Sequence, residues 1–389
     1  MEDPVAIAPG SARKSSALAS SLFSASCFTP TVHMKSSNLH KGNLVAEVLS
    51  GSWRSSNVPT LRMTEPELDA VTPLLYDSGT AALGWHRLEK TSLRDSSSAE
   101  LLHQAYRLQS LQSEVHEQHI EKVFRLFRET SLDGVLAKGW ATAGLYSNRA
   151  LRPYGDIDVC VRPEQYKLAK EVLSDPEAND CWVDLHKHFA EIDDRTIDQL
   201  FARSLTVGLG AEQIHILGAE DQLALSCIHL LKHGAWRPLW LCDVGVAIES
   251  LPENFDWDIC LGRNTTRANW IICAIGLARR LLRVDTAGLP ARFNAEPPSW
   301  LVDNVVKQWE KPFAIYQPPM NHPIPMTDLL RHPSGLLEGL RQRWPNPIIA
   351  TVSVNGEFNN LPRLPYQMAN CLARIGRLLF ASPNGLTEH

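Results

Sequence analysis

The segment covering residues 136–161, LAKGWATAGLYSNRALRPYGDIDVCV, constrains the fold of this chain more than any other. A short apolar strand ends at Lys138-Gly139, small residues typical of a tightly packed helix follow, and a second strand carries Asp156 and Asp158. Because side chains alternate along a strand, both carboxylates lie on one face and the apolar residues between and after them lie on the other. Two such oxygen ligands are what Mg²⁺ needs to hold the phosphates of a nucleotide.

This pattern resembles the nucleotidyltransferase superfamily, which has the DNA polymerase β-like fold. The resemblance covers roughly residues 45 to 290, and its specific part covers residues 136–186. It is strongest to the branch of uncharacterised nucleotidyltransferases. The residues that carry it are Lys138-Gly139, Leu145-Tyr146, Arg152, Asp156-Ile157-Asp158, Val183-Asp184-Leu185-His186, Glu220-Asp221-Gln222-Leu223, His229 and the stretch from Trp240 to Asp243.

The resemblance implies an α+β fold, with a minimal nucleotidyltransferase mixed sheet, helices on one side of it, and flanking helical regions. Four segments are expected. Residues 1–42 form a disordered, Ser-rich leader, and residues 43–130 form an N-terminal helical region. Residues 131–217 form the nucleotidyltransferase core, and residues 218–389 form a mainly helical C-terminal region.

The implied activity is metal-dependent transfer of a nucleoside monophosphate from an NTP, expected to be ATP, to an unknown hydroxyl or phosphate acceptor. The acceptor belongs to a small molecule or a peptide. Asp156, Asp158 and Asp184 are the expected catalytic carboxylates and the expected ligands of Mg²⁺ or Mn²⁺. Asp184 lies on the next predicted strand, where it completes the metal site or acts as the base that deprotonates the attacking hydroxyl.

Four further residues are expected to bind the nucleotide. Gly139 lets the backbone approach the triphosphate, and Lys138 and Arg152 supply cations for its phosphates. His186 shares a strand face with Asp184, where it contacts phosphate or carries a proton. For each of these polar side chains a purely structural role is the alternative.

One departure from the superfamily supports a different function. Trp140 follows Gly139, where the superfamily usually has serine or glycine. The alternative is therefore a catalytically degenerate accessory protein that binds a nucleotide or a partner on the same scaffold. A third hypothesis is a kinase-like enzyme that transfers the γ-phosphate at the same site.

Two other groups of residues have weaker functional interpretations. His229 and His233 are one helical turn apart, a spacing that can bind metal, but the sequence indicates no third ligand. Asp243 lies within an apolar helix, so we expect a salt bridge, with Lys232 or Arg237 as the candidate partner.

Composition excludes several classes of protein. The net charge is −5 with no block of Lys or Arg, which disfavours extended DNA or RNA binding. No run of about 18 apolar residues exists to span a membrane. The eight cysteines form no Cys-x-x-Cys pair, which favours a reducing cytoplasm.

Hydrophobic periodicity predicts the main elements. A long helix begins at Ser97, with Glu100 completing a capping box. Four strands are predicted over residues 135–138, 156–161, 182–185 and 213–217, and residues 348–354 form one more strand-like run.

Overall fold

The computed structural model describes residues 41–312 and 344–380, with side chains as far as residue 374. All but the last two residues of the predicted leader, 1–42, therefore lie outside the described residues. In the described part, helices surround one five-stranded mixed sheet, so the predicted α+β class is confirmed. Among these residues, no helix combines the length and apolar character needed to cross a membrane.

Five strands form the sheet: β1 (Gly134–Ala137), β2 (Ile157–Val161), β3 (Val183–His186), β4 (Leu205–Leu209) and β5 (Glu212–Ile216). Their spatial order is β3-β2-β1-β5-β4. β1 pairs antiparallel with β2 and parallel with β5, while β2 and β3 are parallel and β4 and β5 antiparallel. β4 has no counterpart among the predicted strands because this edge strand is exposed or half-buried throughout and lacks apolar alternation.

Within residues 41–133, four α-helices precede the sheet: α1 (Lys41–Leu49), α2 (Glu65–Asp77), α3 (Ala81–Leu88) and α4 (Ser97–Glu129). α4 is the predicted long helix, but its cap is Ser96 rather than Ser97, because the Ser96 hydroxyl accepts the N–H of Ala99 at 3.2 Å. The predicted capping box is therefore wrong by one residue. The second half of α4 buries Ile120, Phe124 and Phe127 against the sheet.

Among the described residues, ten α-helices lie between or after the strands: α5 (Gly139–Ala143), α6 (Tyr166–Val172), α7 (Ile197–Arg203), α8 (Ala219–Lys232), α9 (Pro238–Glu249), α10 (Trp257–Leu261), α11 (Thr265–Leu282), α12 (Ser299–Trp309), α13 (Pro347–Ser353) and α14 (Leu364–Phe380). The predicted strand over residues 348–354 is wrong, since this segment is α13. Pro347 fits the first helical turn, and the Asn346 side chain accepts the N–H of Ile348 at 2.7 Å. These capping signals outweigh the β-branched residues that suggested a strand.

Helices cover both faces of the sheet, which corrects the expectation of helices on one side only. Leu136, Val159 and Val161 pack with α4 and α6 on the first face. Val135 and Cys160 point to the second face, where they join the large core shared by the N-terminal and C-terminal helices. Strand alternation thus places Ile157 and Val159 in one core and Asp158 on the opposite face, towards the C-terminal helices.

Candidate active site

Asp158 and Asp184 are brought together by the parallel pairing of β2 with β3. Their Cα atoms are direct partners in the register of the two strands. His186, two residues further along β3, lies between the carboxylates. Its Nε2 is 3.2 Å from Oδ1 of Asp158 and 3.3 Å from Oδ2 of Asp184. The three side chains offer potential ligand atoms within 4.8 Å of one another. We call this group the carboxylate cluster.

The carboxylate cluster carries opposite charges in contact. Burial by itself would lower the pKa of His186, but hydrogen bonds with Asp158 and Asp184 raise it to about 9. Burial would likewise raise the pKa of Asp158, yet hydrogen bonds from His186 and Lys138 hold it below its usual value. At neutral pH His186 is therefore an imidazolium between two carboxylates.

Lys138 supplies the second cation of this site. It has φ = 51°, an unusual conformation for a residue with a side chain, at the junction of β1 and α5. Its Nζ lies 2.9 Å from Oδ1 of Asp158. Burial would lower the pKa of Lys138, but the Asp158 charge raises it above its usual value. The predicted phosphate ligand thus pairs with a predicted metal ligand in this structure.

Gly139 follows in a second left-handed conformation, with φ = 25°. A Cβ at this position would lie 3.4 Å from the carbonyl oxygen of Asp156. That distance is an ordinary contact, so the turn between β1 and α5 favours glycine because a side chain is strained at this φ.

Asp156 lies just before β2 and is exposed, whereas Asp158 is 4% exposed. Partial desolvation by the surrounding protein and repulsion from the Asp158 charge raise the pKa of the Asp156 carboxyl above its usual value. Asp156 is not part of the carboxylate cluster, and its role as a metal ligand stays a prediction.

Asp184 has a buried carboxylate oxygen that is available to bind a ligand. Its Oδ1 is buried without a hydrogen-bond partner among the described residues, while its Oδ2 contacts His186. An ionised carboxylate oxygen that is buried without a donor is costly. A divalent cation or a substrate hydroxyl would satisfy it, so the residues present fit the metal that the sequence predicts.

Arg152 forms a buried ion pair with Asp243. Its Nε and Nη2 donate to the two carboxylate oxygens of Asp243 at 3.1 and 2.9 Å, and the Tyr146 hydroxyl donates to the same carboxylate at 2.8 Å. The partner of Asp243 is therefore Arg152 rather than Lys232 or Arg237. Arg152 is only 7% exposed, and its contact with a phosphate stays a prediction.

Trp140 points away from this site. Its indole belongs to the core on the α4 side of the sheet, opposite to Asp158, and is 2% exposed. The ring nitrogen donates to Glu117 at 3.0 Å, and the guanidinium of Arg149 stacks 4.0 Å from the ring centroid. The large Trp140 side chain therefore does not cover Asp158. The sequence alone could not predict this, because it depends on which face of α5 packs against the sheet.

A second group of potential ligands lies close to the first. Glu191, in the loop after β3, has its Oε1 3.5 Å from Nδ1 of His229 on α8. With His233 these residues offer ligand atoms within 4.8 Å of one another. We call them the histidine cluster. Glu191 was missed by sequence reasoning, since nothing local relates it to two histidines about forty residues further on.

The histidine cluster also has shifted pKa values. Burial lowers the pKa of His229, and partial desolvation by the surrounding protein lowers that of His233, although the His233 residue is exposed. The pKa of Glu191 is well below its usual value: burial would raise it, but the His229 hydrogen bond and the charges of Lys138 and Lys232 lower it more strongly. The cluster therefore combines an ionised carboxylate with two neutral imidazoles.

A narrow cleft of about 20 Å³, room for roughly one water molecule, lies between α5 and the helices α8 and α9. Its walls are formed by Lys138, Thr142, Arg152, Leu225, Ser226, His229, Trp240 and Asp243. Lys138 reaches Asp158 from this cleft, and its charge also acts on Glu191. Of the two clusters, only His229 lines the cleft, and Lys138 relates it to Asp158 and to Glu191.

Comparison with known proteins identifies a family. A family model described as "Uncharacterised nucleotidyltransferase" matches the chain over residues 64–180 and 175–282, which together make up more than half of its length. Both clusters and the ion pair of Arg152 with Asp243 lie inside the matched residues. Neither a curated protein nor a solved structure matches the chain significantly.

Proposed function

Because the chain belongs to the family of uncharacterised nucleotidyltransferases, we propose that it transfers a nucleoside monophosphate from an NTP to a hydroxyl or phosphate acceptor. Family membership supports the general role of a nucleotidyltransferase. The dependence on Mg²⁺ or Mn²⁺, the use of ATP, the small-molecule or peptide acceptor and the cytoplasmic setting belong to the proposal. The observation that carries it is the buried, unpartnered Oδ1 of Asp184 beside Asp158.

Asp158 on β2 and Asp184 on β3 would hold the metal, and Asp156, which comes just before β2, is the third candidate ligand. A divalent cation held by these carboxylates would supply positive charge that offsets the charge developing on the leaving pyrophosphate. Asp184 has a further role available, since its unpartnered oxygen can accept the proton of an acceptor hydroxyl.

The two cations of the site would exchange partners when the nucleotide binds. Lys138 and His186 now balance the carboxylate charges, and the Lys138 side chain is 18% exposed, so it can turn towards a phosphate. Arg152 is held by Asp243 in the wall of the cleft, where its positive charge is fixed in position. These groups orient the triphosphate and stabilise its developing charge.

One observation favours the degenerate alternative. In this structure two protein cations already neutralise Asp158 and Asp184, so a metal must displace them to bind. Trp140, which supported the same alternative at the level of sequence, does not favour it, because its ring lies on the other face of the sheet.

Thermal denaturation with and without MgATP tests the proposal. A ligand at about 100 times its dissociation constant adds roughly 2.7 kcal/mol, which corresponds to a shift of a few degrees. We expect this shift in the wild type and in Asp180→Asn, an exposed acidic control, but not in Asp184→Asn. A protein that no NTP stabilises with either metal would refute nucleotide transfer and favour the degenerate scaffold.

Product analysis distinguishes nucleotidyl transfer from transfer of the γ-phosphate. Pyrophosphate release in the presence of an acceptor marks nucleotidyl transfer, whereas ADP marks transfer of the γ-phosphate. Asp184→Asn should lower turnover by about 100-fold or more, since each tenfold costs about 1.4 kcal/mol of transition-state stabilisation. Near-normal turnover in this variant would contradict the assigned site.

A further inference from the structure

The histidine cluster has the composition and spacing of a metal site that the proposed nucleotide chemistry does not use. His229 and His233 lie at positions i and i+4 at the end of α8, and Glu191 reaches them from the loop after β3. We propose that Glu191, His229 and His233 bind a zinc ion. The proposal does not depend on the chain being a nucleotidyltransferase.

The distances suit a zinc ion with small side-chain adjustments. Zinc ligands lie about 2.0–2.2 Å from the metal, so two ligand atoms in a tetrahedral site are roughly 3.3 Å apart. Glu191 and His229 already lie 3.5 Å apart, and no pair of ligand atoms in the cluster exceeds 4.8 Å. His233 is exposed and follows the last residue of α8, so its side chain can rotate to close the site.

The surroundings hold the ligands in place. Trp240 on α9 packs against both imidazoles, with its ring centroid 4.7 Å from that of His229 and 5.2 Å from that of His233. Glu191 is 7% exposed, so its carboxylate has little freedom to turn to water. Restricting three ligands before the ion arrives lowers the entropic cost of binding it.

The ligand types distinguish this site from the carboxylate cluster. Two imidazole nitrogens and one carboxylate oxygen favour zinc, whereas magnesium favours oxygen ligands alone. Two histidines and one glutamate also form the protein part of many zinc sites that keep a position open for water or substrate. Lys138 pairs with Asp158 and its charge also acts on Glu191, so the zinc ion would bind near the carboxylate cluster.

Lys232 would compete with the zinc ion for the Glu191 carboxylate, which gives a specific test. Its Nζ lies 3.7 Å from Oε1 of Glu191, and its side chain is 43% exposed. When zinc binds, this ammonium group must move into water. Lys232→Gln should therefore bind zinc more tightly than the wild type, whereas a purely structural ion pair predicts no change in zinc affinity.

The experiment is a titration of the metal-free full-length protein with Zn²⁺ in competition with a chromogenic chelator. His233→Ala should bind zinc more than about 100-fold more weakly, because even partners outside the coordination sphere are worth roughly 10- to 100-fold. Glu191→Gln should show the same loss, and His188→Ala, an exposed histidine, is the matched control. Circular dichroism verifies that each variant is folded.

Failure of the wild-type protein to bind Zn²⁺ would refute the proposal, and two further results would overturn the assignment of the ligands. One is wild-type zinc affinity in both His233→Ala and Glu191→Gln. The other is loss of zinc only in Asp184→Asn, which would move the ion to the carboxylate cluster. Visible absorption of the Co²⁺-substituted protein provides a second readout, since tetrahedral cobalt with imidazole ligands should appear in the wild type and disappear in His233→Ala. Neither measurement uses a nucleotide, so failure of the proposed transferase activity leaves the outcome unaffected.

Discussion

Replacing His186 by glutamine should destabilise the metal-free protein in a manner that depends strongly on pH. The imidazolium lies 3.2–3.3 Å from both Asp158 and Asp184, and its side chain is 8% exposed, so solvent screens these contacts little. A rise in the His186 pKa from 6.5 to about 9 corresponds to about 3 kcal/mol of unfolding free energy. The lowered pKa of Asp158 reflects the same contact and is not added to it.

The direction follows from the raised pKa in the folded state. The stabilisation is fully present below pH 6.5, decreases as the pH rises, and is lost above about pH 9. The proton-linked difference between wild type and His186→Gln should therefore be about 3 kcal/mol at pH 6, about 2 kcal/mol at pH 7.5 and close to zero at pH 9.5. Lost packing against Phe189 adds a part that does not vary with pH.

Urea denaturation in EDTA at these three pH values measures the difference. His188→Gln is the control, because His188 is exposed and lies only two residues further on. An NMR titration of the His186 ring gives its pKa directly. A difference between wild type and His186→Gln that is constant with pH, or a ring that titrates near 6.5, would refute the reasoning.

Three substitutions test the structure around the site. Asp243→Asn should lower the unfolding free energy by about 3–5 kcal/mol in thermal denaturation, because Arg152 would stay buried without its counter-charge; a loss below 1 kcal/mol would contradict the buried pair. Trp140→Phe removes one hydrogen bond to α4 and should cost about 1–2 kcal/mol, yet leave the MgATP-induced shift unchanged; loss of that shift would place the indole in the nucleotide site. Gly134→Ala should cost about 1–3 kcal/mol, since the added methyl group would meet Val159 at 2.7 Å; an unchanged melting temperature would mean that β1 and β2 can separate freely.

Local periodicity accounts for the parts of the site that sequence reasoning predicted. Alternation along one strand is enough to place Asp158 opposite Ile157 and Val159, whatever surrounds the strand. The apolar spacing of the long helix before the sheet is similarly local, and the helix forms where the pattern predicts it. The family resemblance depends on the same short segment, and the family match confirms it.

Contacts between distant segments required the tertiary structure. The register of β2 with β3 brings Asp184 to Asp158, and no pattern within either strand encodes that register. Asp243 forms its ion pair with Arg152, about ninety residues earlier in the chain, although basic residues closer to it in sequence were the expected partners. The strand-like run after Pro347 becomes a helix because the Asn346 cap and the proline decide its start.

The sequence by itself determined the acidic strand, the glycine turn before it and the alternation that separates carboxylates from core. Those features depend on interactions within a few residues, which a pattern records directly. Only the tertiary structure decided that Trp140 turns away from the site and that Glu191 joins His229 and His233. The physical reason is that packing a whole chain selects which faces meet, and that selection depends on all the segments together.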